Sequence, residues 1–328
     1  MAYNIRKNPL LIFTVPFFLL SEFLYSYLAI RKNPISLIHT HWLIPQGLIG
    51  AIFHQIKKIP HVATIHGSDL AVINKNKVLK PLCRYIVNHS DVVTVNSSYN
   101  QKLLELVVPG SAVKTRIIPM GIDPEQFSGK YPDMKKRFNA NYLILSVGRL
   151  IDLKGIIYLI DSIPDILEKK PGTHLVVIGD GPEKTELEKR ALNLGIEPNV
   201  HFLGTVNHEK LFPWYHSADV FILPSIIKDG KTEGLGVVLL EAMASGCPVI
   251  GSNAGGISDI ITDGENGFLV PEKDSNMLAE KIILILSDGV VKEKLRKNGL
   301  LRVKECFSWD RIVNSFSAVY RDIEKLIN

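Results

Sequence analysis

The chain has 328 residues and is 46% hydrophobic, enough for two domains with sizeable cores and far too apolar for a disordered chain. Its 38 basic and 33 acidic residues leave a net charge of +5 with no basic tract, so a nucleic-acid partner is not expected. The three cysteines, Cys83, Cys247 and Cys306, are scattered without a CxxC or Cys/His cluster, which argues for a reducing compartment, core thiols and no structural metal.

The first feature along the chain is the apolar run LLIFTVPFFLLSEFLYSYLAI at residues 10–30. It approaches the roughly 20 residues that cross a bilayer. Pro16 and Glu22 interrupt it, the flanking pairs Arg6/Lys7 and Arg31/Lys32 balance each other, and no small-residue cleavage site follows. The run is therefore expected to form a buried or interfacial amphipathic helix with Ser21, Glu22 and Ser26 on a narrow polar face. The protein is then cytoplasmic, with a peripheral contact at the inner membrane face; a single span is the competing reading.

From residue 35 onward, short β-rich runs alternate with helix-length segments. SLIHT, HVATI, DVVTV and TRIIP come first, then LILSVG, LVVIG, VHFLG, DVFILP, PVIGS and GFLV. This alternation is the signature of βαβ units and parallel sheets. Between residues 119 and 138, PMGIDPEQFSGKYPDMKKRF replaces periodicity with Pro, Gly, Asp and charge. The expected fold class is α/β in two halves, four strands before this break and six after it.

Ligands of open parallel sheets bind beyond the carboxyl ends of the strands. There the sequence places His39, His41 and Trp42, then His66, Gly67, Ser68 and Asp69, then Arg149 and Lys154. HTHW puts His39 and His41 on one side of an extended segment without a third ligand for a metal, and His66, followed by glycine, is better placed to reach a ligand. VVIGDGPEKTE carries Gly179 and Gly181 of a dinucleotide fingerprint but lacks the third glycine and the acid after the next strand, so no NAD site is expected.

Arg149 and Lys154 lie on a tight turn after a strand, where two cations can converge on a diphosphate and neutralise charge on a leaving group; the bland reading is a solvated loop. GLGVVLLEAMASG reads as a helix from near Gly236 to a C′ glycine, Gly246. Its N-terminus offers amides and a positive dipole end to a phosphate or a sugar hydroxyl. Glu233 precedes that helix and Glu241 falls about one and a half turns into it, among apolar neighbours unsuited to a surface ion pair. Two carboxylates also suit a glycosidase. That chemistry uses neither a basic pair nor a helix N-terminus, whereas a diphosphate sugar uses both.

Nine segments in one order, HTHWLIPQG, TIHGSDL, VTVNSS, PMGID, SVGRLIDLKG, VIGDGP, FLGTV, EGLGVVLLEAMASGCPVIGSNAGGISDII and GENGFLV, together resemble the retaining glycosyltransferases of family 4. These are GT-B enzymes, with two Rossmann-like domains facing a cleft. SWDRIVNSFSAVYRDIEKL is similar to the family's final helix, which crosses back to the first domain. The resemblance implies an acceptor domain over 1–118, a nucleotide-sugar donor domain over 119–307 and a closing helix over 308–328.

It also implies that Gly148, Arg149 and Lys154 grip the donor diphosphate, that Glu241 binds the ribose and that Glu233 and His66 hold the donor sugar. Main chain at Leu235, Gly236 and Val237 would meet sugar and phosphate, and main chain at Val206 the base. Arg149, Lys154, Glu233 and His66 form the implied catalytic set. No metal and no cofactor are implied. The donor is a UDP-, GDP- or ADP-sugar, the acceptor a hydroxyl of a glycan, lipid or small molecule, the process cell-envelope polysaccharide synthesis.

Family members usually open with a strand and a Gly-rich loop, which the 34 residues ahead of ISLIHTHW do not contain. The first domain is thus expected to be N-terminally incomplete. The rival reading is an inactive or split-gene sugar-nucleotide-binding subunit, completed by a separately encoded partner. A GT-B epimerase or phosphorylase is a third.

Overall fold

The computed structural model describes residues 14–327, and all ten expected runs are strands in it. They are β1 (Ile38–His41), β2 (His61–Ile65), β3 (Val92–Val95), β4 (Thr115–Ile117), β5 (Tyr142–Val147), β6 (Thr173–Ile178), β7 (Val200–Phe202), β8 (Val220–Leu223), β9 (Val249–Ser252) and β10 (Phe268–Val270). The central strands HVATI and VFIL are buried at every position, because helices cover both faces of a parallel sheet. The chain divides into two units. One holds residues up to Val95, Leu103–Arg116 and the chain from Ile323; the other holds Asn96–Lys102 and Ile117–Asp322.

In the first unit the strand order is β1-β2-β3-β4, with β1, β2 and β3 paired in parallel. His61, the first residue of β2, is fully buried. Its Nδ1–H donates to the His89 carbonyl at 3.2 Å, and Thr40 lies 2.8 Å from Nε2. Burial, partly offset by the His89 carbonyl, brings this imidazole down to about 4.

The apolar run near the N-terminus forms the helix Val15–Lys32; Arg6, Lys7 and residues 10–13 of the run lie outside the described residues. Of the two placements expected, buried or interfacial, the exposure of its apolar residues rules out the buried one. Glu22, Phe23, Ser26 and Ile30 are the half-buried positions, while Phe17 and Tyr25 are each 75% exposed. Phe23 stacks on Phe53 with ring centroids 5.2 Å apart. Apolar residues run round most of the helix, so whichever stripe packs inward leaves others outside. Among the described residues no helix is long and apolar enough to cross a membrane.

In the second unit all pairings are parallel and the order is β10-β9-β8-β5-β6-β7. The chain steps outward from β5 through β6 to β7, returns to the other side of β5 at β8, and steps outward again. Two cores flank this sheet, one against the helices Ile156–Lys169 and Ser275–Ser287, the other against Phe212–Ser217, Val237–Ala244 and Gly289–Cys306. At the amino end of β8, buried Asp219 pairs with Lys135 at 2.7 Å and Lys292 at 2.6 Å and accepts the Leu143 amide at 2.9 Å. Cys83 and Cys247 are core thiols, whereas Cys306 is only half-buried.

Candidate functional site

The order of the second sheet creates a crevice where β5 and β8 lie side by side and their chains depart in opposite directions. The loop after β5 carries Gly148, Arg149 and Lys154; the loop after β8 carries Glu233. The two loops are tied by the Ile226 amide donating to the Leu153 carbonyl at 2.9 Å. Lys154 ends a short turn, Asp152–Lys154, and its chain runs back past Gly148, where an added Cβ would lie 3.5 Å from Lys154 Cε. Its ammonium is bonded to Glu233 Oε2, with the two side chains only 15% and 17% exposed. Ser225 Oγ lies 3.4 Å from the same carboxylate oxygen, and Arg149 is exposed on the loop after β5.

Two glycines explain how these loops come so close. Gly179, which sequence reading grouped with a dinucleotide fingerprint, has φ +144°, and a Cβ there would sit 1.8 Å from the Gly148 carbonyl oxygen. Its lack of a side chain lets the loop after β6 support the turn that bears Arg149. Gly255, at φ +60°, plays the same part for Glu233: a Cβ would sit 2.1 Å from the Glu233 carbonyl, which also accepts the Gly256 amide at 3.0 Å. Leu235 is buried, and Gly236 leads into the helix Val237–Ala244, whose N-terminus has no side-chain cap. That terminus presents its dipole to the crevice.

Glu241 lies midway along this helix and is 9% exposed. Tyr215 OH donates to its Oε2 at 2.7 Å and His208 Nε2–H to its Oε1 at 3.2 Å. Burial, reinforced by the Glu241 charge, raises Tyr215 well above the usual phenol range. Val206 stands two residues before His208, half-buried on the same core. Neither Tyr215, in FPWYHS, nor His208, in VNHEK, carries a motif in the sequence that marks it as part of a site.

His66 belongs to the first unit and follows β2, in a group of three imidazoles with His41 at the carboxyl end of β1 and His39 within that strand. His39 and His41 stack with centroids 4.6 Å apart, and His41 Nδ1 lies 3.1 Å from His66 Nε2. His39 is brought to about 4 by burial and by His41, His61 and His66; His66 is lowered by burial and His41 against a raising influence from Asp69. Trp42 packs against His66 and adopts φ +75°, a conformation that costs a non-glycine residue about 1–3 kcal/mol and tends to cluster at functional sites. Among the described residues no group of three or more His, Cys, Asp or Glu is arranged to hold a metal ion.

Family models match both units: one described as Glycosyltransferase Family 4 over residues 2–126, the other as Glycosyl transferases group 1 over residues 130–302. An uncharacterized glycosyltransferase of Methanocaldococcus jannaschii, MJ1607, is 33% identical over 303 residues, 87% of this chain and 75% of its own length. N-acetyl-alpha-D-glucosaminyl L-malate synthase of Bacillus anthracis is 28% identical over 302 residues, 90% of this chain and 76% of that protein. The solved structure of a sucrose-phosphate synthase from Thermosynechococcus elongatus is similar with a TM-score of 0.79 at 29% identity, covering 97% of this chain and 80% of the other.

Proposed function

The chain belongs to the glycosyltransferases of family 4 and has their GT-B fold of two Rossmann-like domains, and from that premise we propose how its residues transfer a sugar. The donor is a nucleotide diphosphate sugar bound at the carboxyl ends of β5 and β8, and the acceptor is a hydroxyl. Lys154 and Arg149 meet the diphosphate, Glu241 accepts the ribose hydroxyls, and Glu233 accepts hydroxyls of the sugar. Val206 holds the base through main chain.

The bond between the anomeric carbon and the diphosphate oxygen breaks, and the oxygen keeps the electron pair. The acceptor oxygen bonds to the same face of the anomeric carbon, so configuration is retained, and its proton passes to the departing phosphate. Once the diphosphate has drawn Lys154 from Glu233, cations and helix amides stand where charge develops and lower this barrier. No metal is assigned a role, because Arg149 and Lys154 supply positive charge at the leaving group. The reaction is placed in the cytoplasm, in cell-envelope polysaccharide assembly. The exposed apolar residues of the helix Val15–Lys32 support contact with the inner membrane face.

The observation that carries this reading is the Lys154–Glu233 pair beside an uncapped helix N-terminus at the point where the strand order reverses. Thermal unfolding in the presence of UDP, GDP or ADP tests it, since a ligand that binds only the folded chain raises the midpoint. At least one of the three is expected to raise it, and the matching nucleotide sugar should then release nucleoside diphosphate faster when a hydroxyl acceptor is added. No shift with any of the three overturns the donor site.

A further inference from the structure

The Glu241 carboxylate has its two oxygens in unlike places. Oε2 is bonded to Tyr215, which is fully buried, and Oε1 to His208, whose side chain is 53% exposed. We infer that Tyr215 and His208 are positioning residues of the nucleoside subsite, holding the Glu241 carboxylate in the orientation that accepts a vicinal ribose diol. The inference rests on the reading of Glu241 as the ribose-binding acid.

A carboxylate offers about four lone-pair positions. Tyr215 occupies one on the inner oxygen and His208 one on the outer, which leaves places for two incoming hydroxyl donors. Both anchors are themselves held. Tyr215 lies on the helix Phe212–Ser217, which packs against the helix that carries Glu241, and its ring centroid is 5.6 Å from that of Phe221 in β8. His208 stands edge-on to Phe127 at 6.2 Å and to Phe212 at 5.4 Å, each near a right angle. A glutamate rising from an apolar helix would otherwise sample several rotamers, and ordering it at the moment of binding costs affinity. His208 also follows Val206 by two residues, so the same turn connects the ribose-binding carboxylate to the main chain proposed to hold the base.

The test compares two probes by calorimetry: whichever of UDP, GDP and ADP binds the wild type best, and its 2′,3′-dideoxy counterpart. Tyr215→Phe keeps the ring and removes only the hydroxyl. It is expected to weaken the ribonucleotide roughly tenfold, the weight of a hydrogen bond to a charged group, and to leave the dideoxy nucleotide where the wild type has it. In turnover, KM for the sugar nucleotide rises and kcat stays.

A merely structural role would weaken both probes alike, and that outcome overturns the inference. Should Tyr215→Phe fail to fold, His208→Ala, at a half-exposed position, gives the same comparison with an expected loss of about threefold. If Glu241→Gln separates the two probes while Tyr215→Phe and His208→Ala do not, the positioning role fails and the ribose acid stands. If Glu241→Gln does not separate them, the ribose acid itself falls, and this inference with it.

Discussion

The Lys154 ammonium rests on the Glu233 carboxylate, two side chains 79 positions apart in sequence that the loops after β5 and β8 bring into contact. A diphosphate entering the crevice competes with Glu233 for that ammonium, and the carboxylate released from it is free to accept sugar hydroxyls. Lys154→Ala is expected to lower kcat by about 100- to 1,000-fold, the range for deleting one preorganised group that stabilises developing negative charge. Glu233→Gln should act differently. It removes the competitor for Lys154, so affinity for the bare nucleoside diphosphate holds or rises while KM for the sugar nucleotide increases. Steady-state kinetics with calorimetry on both ligands separates the two, and an unchanged rate in Lys154→Ala ends the leaving-group role.

Asp219 predicts a variant that fails by stability alone. It sits at the amino end of β8, the end opposite the crevice, and its buried carboxylate joins Lys135, Lys292 and the Leu143 amide. Asp219→Ala strands two ammonium groups and a backbone donor, for an expected cost of about 3 kcal/mol. Denaturant melts should show this loss, while the ratio of nucleotide affinities among UDP, GDP and ADP stays as in the wild type. A melt indistinguishable from the wild type would mean that the two lysines are satisfied by solvent and that the network is incidental.

How much of this could be read beforehand follows from the range of the interactions. The ten strands were legible because each lies in a short β-rich run between helix-length segments, and the helix Val237–Ala244 because Gly236 and Gly246 punctuate it. Those signals lie within a few residues of one another. Tyr215 and Glu241 are 26 positions apart, and their bond exists only because two short helices pack together. Nothing in FPWYHS marks a hydroxyl aimed at a carboxylate. The helix Val15–Lys32 shows the complementary limit: with apolar residues round most of its circumference, the sequence does not say which stripe turns inward, and the stripe containing Glu22 and Ser26 does.

Acid should weaken the first unit through half-buried His39 and fully buried His61. His39 and His61 both titrate near 4 in the folded chain, below the ordinary 6.5, so the unfolded chain binds their protons first. Stability from keeping them neutral is therefore complete above about pH 6.5 and is lost as pH falls from 6.5 toward 4. Fully buried His61 alone should contribute about 1 kcal/mol per pH unit inside that window. Urea melts of the wild type at pH 7, 6 and 5 should show the folding free energy falling with each step, and a value that holds steady or rises between pH 6 and 5 rules out neutral burial of these imidazoles as the main source of acid sensitivity.

Gly255 shapes the site without a functional group of its own. Gly255 has φ +60°, and a Cβ on it would sit 2.1 Å from the Glu233 carbonyl oxygen, with Thr232 also inside contact distance. Gly255→Ala must therefore push the segment bearing Glu233 away from the loop after β9. The positive φ adds strain of about 1 kcal/mol to the steric demand. Lys154 and Glu241 are anchored elsewhere, on the loop after β5 and on the helix, so nucleoside diphosphate binding should change by less than about threefold. Recognition of the sugar, which depends on where Glu233 points, should suffer, raising KM for the sugar nucleotide roughly tenfold or more, because misplacement by about an ångström is enough to disrupt such a site. Measuring both ligands on this one variant discriminates between the two outcomes: equal losses for both would mean that Glu233 is not positioned through Gly255, and that the crevice moves as a whole.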